Sequence, residues 1–234
     1  TALAASFDAL KQYVEQPVQY DADRDYDHIV AFGELWSTLI VGAYLNSAGY
    51  ANQWVDARDI ITTDARHRAA NVQWDALEEN CAKHLPSFSA HPHRIVTQGF
   101  IGRTAQGVTT TLGREGSDFS AAIFAYALGA ESVTIWKDVP GMFNADPKRF
   151  PDTRLLEHIS YKEAIELSYF GASVIHPRTL QPLQRKGIPL YVRSFIDLDA
   201  PGSTISAATD QDTLVPSFIV KPGQVLISIT PRDL

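Results

Sequence analysis

The stretch TTTLGREGSDFSAAIFAYALGAESVTIWK (109–137) constrains the fold more than any other part of the chain. It opens with β-branched residues, turns between glycines, runs as an apolar helix to Gly129, and ends in the strand-like SVTIW (132–136). Ser117 is placed to cap that helix and Gly129 to close it. Two strands joined through a helix pair in parallel, and the crossover covers one face of their sheet.

The alternation recurs along the chain. Leu3, Phe7, Leu10 and Val14 mark one face of an N-terminal helix. Asp21 to Asp27 reads as polar linker. HIVAF (28–32) reads as a strand, turning at Gly33 and Glu34 into the helix LWSTLIVGAYLNSAG, which Gly49 closes. QWVDA (53–57) is a short strand, WDALEENCAKHL (74–85) an amphipathic helix, and 93–113 two strands turning at Arg103 to Gly107. Ser160 and Glu163 have capping-box spacing ahead of a helix. HPRTLQPLQRKG is a further helix, IPLYVRSF (188–195) a strand, and QVLISIT (224–230) another. The expectation is an α/β fold with a largely parallel sheet.

Composition narrows the function. With 20 Lys and Arg against 27 Asp and Glu the formal charge is −7, and no basic stripe suited to nucleic acid is present. No uninterrupted apolar run approaches the roughly 18 residues of a membrane helix, and the first residues lack the pattern of a signal peptide. Cys81 is the single cysteine, which excludes an internal disulfide and suits a cytoplasmic protein. It reads as a packed residue, since nothing basic flanks it to favour a thiolate. His91 and His93 flank Pro92 without a third ligand for zinc. His176 reads as a capping or packing residue.

Open α/β sheets bind ligands beyond the carboxyl ends of their strands. Glu34 after its expected strand is one polar group there. TTLGREGSDFSAA (110–122) offers a helix N-terminus, whose N–H groups and dipole favour anions, with Arg114 able to grip a carboxylate. IWKDVPGMFNADPK (135–148) puts Lys137 and Asp138 at a strand end. Neither the Walker pattern nor the HRD signature is present. These residues define an anion-accepting α/β domain.

TQGFIG, TTTLGREGSD, WKDVPGMFNADPK and ELSYFGASVIHPRTLQPL, in this order, are similar to the successive signatures of aspartokinases in the amino-acid kinase family. The resemblance runs from about residue 28 to residue 206. It implies a three-layer α/β sandwich with a mainly parallel central sheet, and residues 1–206 as the catalytic domain. It implies transfer of the γ-phosphate of ATP, with Mg²⁺, to the β-carboxylate of L-aspartate, in a homo-oligomer. Glu34, Phe100, Arg114, Glu115, Gly116 and Ser117 match substrate positions, Arg114 taking the α-carboxylate. Asp118 matches the aspartate that organises the catalytic lysines. Lys137, Asp138, Phe143, Lys148, Ser173 and Val174 match positions around ATP.

The sequence also departs from that family. A first strand ending in a Lys-Phe-Gly-Gly-Thr-Ser loop is expected and is not in this sequence, so the chain as given is expected to be inactive. Residues 207–234 resemble a linker and the first strand of a regulatory ACT region. Glu115 stands where glycine is usual, Phe143 where tyrosine is common, and Lys148 where arginine is common. Threonine is frequent at the position of Lys137 and lysine at that of Ser173, which suggests that one ammonium replaces the other. The WKDVPG and ELSYFGASVIHP runs speak against glutamate or carbamate kinases. A non-catalytic binding or assembly module of the same fold is the alternative.

Overall fold

The computed structural model describes residues 1–16, 21–85, 94–170, 174–207, 216–220, 223, 225 and 227–228. The chain divides into two compact units, Thr1–Val133 with Arg178–Pro189, and Thr134–Pro177 with Leu190–Leu234.

The first unit begins with helix α1 (Ala2–Glu15), where Thr1 Oγ1 accepts from the Ala4 amide at 3.2 Å. Helix α2 then runs unbroken over Ala22–Ser47. This overturns both the linker at Asp21–Asp27 and the strand at 28–32, and Glu34 therefore lies within a helix. Capping outweighs the β-branched run. Asp21 accepts from the amides of Asp23 and Arg24 at 3.0 and 2.9 Å, and Asp23 and Asp25 suit the positive end of the helix dipole. Asp27, Ala31 and Leu35, spaced by four, are buried together with Phe32. Gly33 meets no atom within 4 Å of where a Cβ would be, so it neither breaks nor kinks the helix. By length and composition α2 is the one described helix that could cross a membrane, but here it buries the carboxylate of Asp27.

Short strands follow: β1 (Gln53–Trp54), β2 (Thr62–Thr63), β3 (Ile95–Val96), β4 (Ile101–Thr104) and β5 (Thr109–Thr111), with helix α3 (Leu77–His84) between β2 and β3. β1 pairs with β3 in parallel. β2 pairs with β4 in parallel, and β4 with β5 antiparallel. Where 93–113 was expected to hold two strands there are three, because Gln98, Gly99 and Phe100 leave the sheet between β3 and β4. Helix α4 (Gly116–Leu128) closes at Gly129, in the left-handed region as expected. Its N-cap, however, is Glu115 and not Ser117.

Val55, Ile60, Ile61, Leu77, Cys81, Leu112, Phe119 and Ile123 form one apolar cluster of this unit. Burial first, and then the Glu78 carboxylate, push the Cys81 thiol up to about 11, so it stays protonated at neutral pH as its packed role requires. A second cluster joins Ala31, Phe32 and Leu35 of α2 to Ala57 and Ile101.

The second unit holds a four-stranded sheet in the order β6 (Val133–Lys137), β8 (Leu190–Ser194), β9 (Ser203–Ser206), β7 (His158–Ser160). β7 and β9 are parallel, β8 and β9 antiparallel. Helix α5 (Tyr161–Phe170) starts on the expected capping box: the Ser160 amide donates to Glu163 Oε2 at 2.9 Å, and the Glu163 amide to Ser160 Oγ at 3.2 Å. Strand β8 forms where expected, as does helix α6 (Pro177–Lys186), which from Arg178 onward belongs to the first unit. The strand expected at 224–230 falls largely outside the described residues, as does most of 207–234.

Asp27 ties α2 to the remainder of the first unit. Its fully buried carboxylate accepts from His67 Nδ1 (2.8 Å), the Arg68 amide (3.0 Å), the Thr111 amide (3.1 Å) and Thr111 Oγ1 (2.6 Å). Removing such a hub leaves several buried donors without partners. Asp27→Ala is expected to cost about 3–5 kcal/mol of stability, read by urea unfolding.

Candidate active site

Three segments of the first unit meet at the start of α4. Gly99 and Phe100 lie against its first turn. A Cβ at Gly99 would stand 2.8 Å from Ser117 Cα, and one at Gly116 would stand 2.7 Å from Phe100 Cδ2. Gly113, at φ +77, passes so close to the 68–69 backbone that a Cβ would lie 2.8 Å from Arg68 O. These approaches explain the glycine spacing better than turn flexibility does. The Phe100 amide donates to Ser120 Oγ at 2.9 Å, and Ser120 Oγ to Gly116 O at 2.8 Å. The Leu112 amide donates to Phe100 O at 2.8 Å.

The backbone here is strained. Among the described residues, the non-glycine positions with positive φ are Arg68, Phe100 and Glu115, and all three belong to this junction. Such conformations persist where the surroundings impose them, and they cluster at working sites.

Of the expected substrate residues, Phe100, Arg114, Glu115, Gly116 and Ser117 are brought together at this turn, with Asp118 in the same first turn of α4. Gly116 is buried, Asp118 half-buried and Ser117 exposed. The Arg114 side chain is 79% exposed and its Nε lies 3.9 Å from Glu115 Oε1, too far for a hydrogen bond. Glu34 sits on α2 beside the cluster against which Phe100 packs. Burial holds its carboxyl above the ordinary value of 4.5.

Polar contacts that sequence reasoning missed position these groups. Thr38 Oγ1 lies 2.9 Å from Glu34 O and accepts from Gln98 Nε2 (2.8 Å) and Trp54 Nε1 (3.0 Å). Gln98 Oε1 accepts from the Ala57 amide at 2.8 Å. Arg178, stacked 4.5 Å over Phe119, donates to Leu112 O at 2.8 Å and Ala70 O at 3.0 Å, which braces the turn from behind. The TQG triplet before Phe100 and the arginine after HP were visible, but their partners lie 40 or more residues away.

In the second unit Lys137 ends β6, its carbonyl accepting from the Phe195 amide at 2.9 Å. Asp138 follows and is exposed. The loop beyond it is organised by two side chains. Asn144 Oδ1 accepts from the Arg154 amide (2.7 Å), and its Nδ2 donates to Pro216 O (3.1 Å) while the Phe218 amide donates to Asn144 O (2.7 Å). Asp146 Oδ1 accepts from the Lys148 amide at 2.9 Å, the turn expected of Asp-Pro. Phe143 pairs with Leu155, Lys148 is exposed and Val174 is half-buried. Ser173 lies outside the described residues.

One unit thus offers a strained helix N-terminus with an arginine and carboxylates, and the other offers lysines around a strand end. Each is of a kind suited to small charged ligands, within an α/β chain. The chain belongs to the amino acid kinase family, whose model matches residues 3–194. A bifunctional aspartokinase/homoserine dehydrogenase 2 of Zea mays is 40% identical over 87% of this chain, and lysine-sensitive aspartokinase 3 of Escherichia coli is 38% identical over 87%. E. coli aspartokinase III in complex with aspartate and ADP superposes with a TM-score of 0.82 at 36% identity, covering 89% of this chain and 46% of that one. The chain spans only 23% and 45% of the length of the two curated relatives.

A carboxyl raised by burial makes the native state hold more protons than the unfolded chain between the two pKa values. Stability therefore falls as pH rises through that window. Glu34→Gln is expected to raise the melting temperature at neutral pH, with no gain once the pH is below both values. Carboxyl NMR titration of the unmodified protein is expected to place the Glu34 midpoint above 4.5.

Proposed function

We propose that the chain supplies catalytic machinery of an aspartate kinase, moving the γ-phosphoryl group of ATP to the β-carboxylate of L-aspartate. The observation that carries this reading is the junction of Gly99–Phe100 with Arg114–Asp118, in a chain 36–40% identical to aspartokinases.

The attacking group needs no activation. A side-chain carboxylate with an ordinary pKa near 4 is ionised at neutral pH, so the absence of a general base from this reading is consistent. The task left to the protein is to bring one anion onto another, which calls for positioning and fixed positive charge. Arg114, with most of its side chain in solvent, takes the α-carboxylate in two-pronged fashion. Glu34, once ionised, faces the ammonium. The N–H groups at the start of α4 point at the substrate, and Gly116 lets Phe100 close over it.

ATP is assigned to the second unit, with Lys137 and Lys148 on phosphate oxygens and Phe143 and Val174 beside the nucleoside. Asp118 is assigned the catalytic aspartate position that the family resemblance implies. Among the described residues no group of three His, Cys, Asp or Glu could hold a metal ion. The Mg²⁺ of the reaction is assigned to the nucleotide, since Mg²⁺ keeps several waters and binds with substrate phosphates. The active protein is proposed to be a homo-oligomer, as the family resemblance implies.

The test is aspartate-dependent ADP release by the full-length protein, with Arg114→Lys as the diagnostic variant. A point charge cannot replace the planar donor, and losing part of a charge-assisted pair costs roughly 1.5–3 kcal/mol. The aspartate KM is therefore expected to rise about tenfold to over a hundredfold, with the ATP KM nearly unchanged. Ligand binding without ADP release would instead support a non-catalytic module.

A further inference from the structure

Glu115 is costly where it stands. Its backbone lies in the left-handed region at φ 53 and ψ 32, which glycine adopts without penalty and a side chain does not. Gly116 beside it is wedged against Phe100 and Leu112, so the turn cannot relax toward an ordinary conformation. The side chain is only 20% exposed, and one carboxylate oxygen, Oε2, is buried without a hydrogen-bond partner. Neither its neighbour Arg114, at 3.9 Å, nor a capping bond to its own helix relieves this. Strain and a buried carboxylate oxygen without a hydrogen bond, at one residue, point away from a stabilising role.

The charge balance around it gives it another. Arg114 is the guanidinium beside this carboxylate, its Nε 3.9 Å from Glu115 Oε1, and the two residues share the turn that opens α4. A dicarboxylate entering at Arg114 brings two negative charges toward the buried carboxylate of Glu115. An amino-dicarboxylate brings the same two with an ammonium, which is attracted to the charge that repels the rest. A charge acts through space over several ångströms in a partly desolvated site, so Glu115 need not touch the ligand to bias it.

We infer that Glu115 is a specificity-determining residue, whose negative charge beside Arg114 makes the site demand an ammonium group on its dicarboxylate substrate. The inference rests on the aspartate reading above and deepens it. Rejection of the wrong ligand here comes from a repulsive element, not from an added attraction.

The experiment measures calorimetric affinities of L-aspartate and succinate, which share a four-carbon dicarboxylate skeleton, for the full-length protein and for Glu115→Gln and Glu115→Gly. The unmodified protein is expected to bind aspartate and to bind succinate much more weakly. In both variants succinate binding should tighten by about tenfold while aspartate changes far less, so that the preference narrows. Glu115→Gly should also raise the melting temperature, because glycine suits the left-handed backbone. An unchanged aspartate-to-succinate ratio in both variants overturns the inference, even if the melting temperature rises, since that result leaves Glu115 a purely local structural feature. Failure of the unmodified protein to bind aspartate at all overturns the substrate reading, and the inference with it.

Discussion

The first unit depends on one buried carboxylate. Asp27 lies on the inner face of α2 and collects donors from the 67–68 segment and from Thr111 of β5. It therefore fixes three parts of the chain that are far apart in sequence. Glu34 follows Asp27 by seven residues, two helical turns, and so shares its side of α2. Arg114 follows Thr111 by three, and Gly113 packs on Arg68. Each group assigned to the amino-acid ligand is thus one short step from the same anion. A buried carboxylate is tolerable because four donors satisfy it, and for the same reason it cannot be replaced by an apolar residue without loss.

Around that anchor the backbone gives up comfort. The positive φ values of Arg68, Phe100 and Glu115 converge on a turn whose glycines admit no side chain. Arg178 and Ser120 close the remaining carbonyl and amide positions from the other side. This junction carries a glutamate in the left-handed region, at φ 53.

Much of this was legible in the sequence because it is local. The glycine-bracketed turn, the strand before it and the helix after it follow from neighbouring residues, as does the capping box at Ser160 and Glu163. What failed was also local. HIVAF has strand character, yet Asp21 two turns upstream caps a helix through it, and the buried stripe of Asp27, Ala31 and Leu35 appears only in the helical register. Ser117 has the chemistry of an N-cap, but the wedge of Phe100 against Gly116 starts the helix earlier. The partnerships of Asp27, Gln98 and Arg178 were not legible, since each joins residues separated by 40 or more positions.

Asn144 has a mechanical consequence. Its backbone and side chain together hold Arg154 on one side and the 216–218 segment on the other, with Phe150 and Phe218 rings 6.5 Å apart nearby. The loop bearing Phe143 and Lys148 is consequently tied to the 216–218 segment. The two part only when the bonds from Asn144 to Pro216 and Phe218 break.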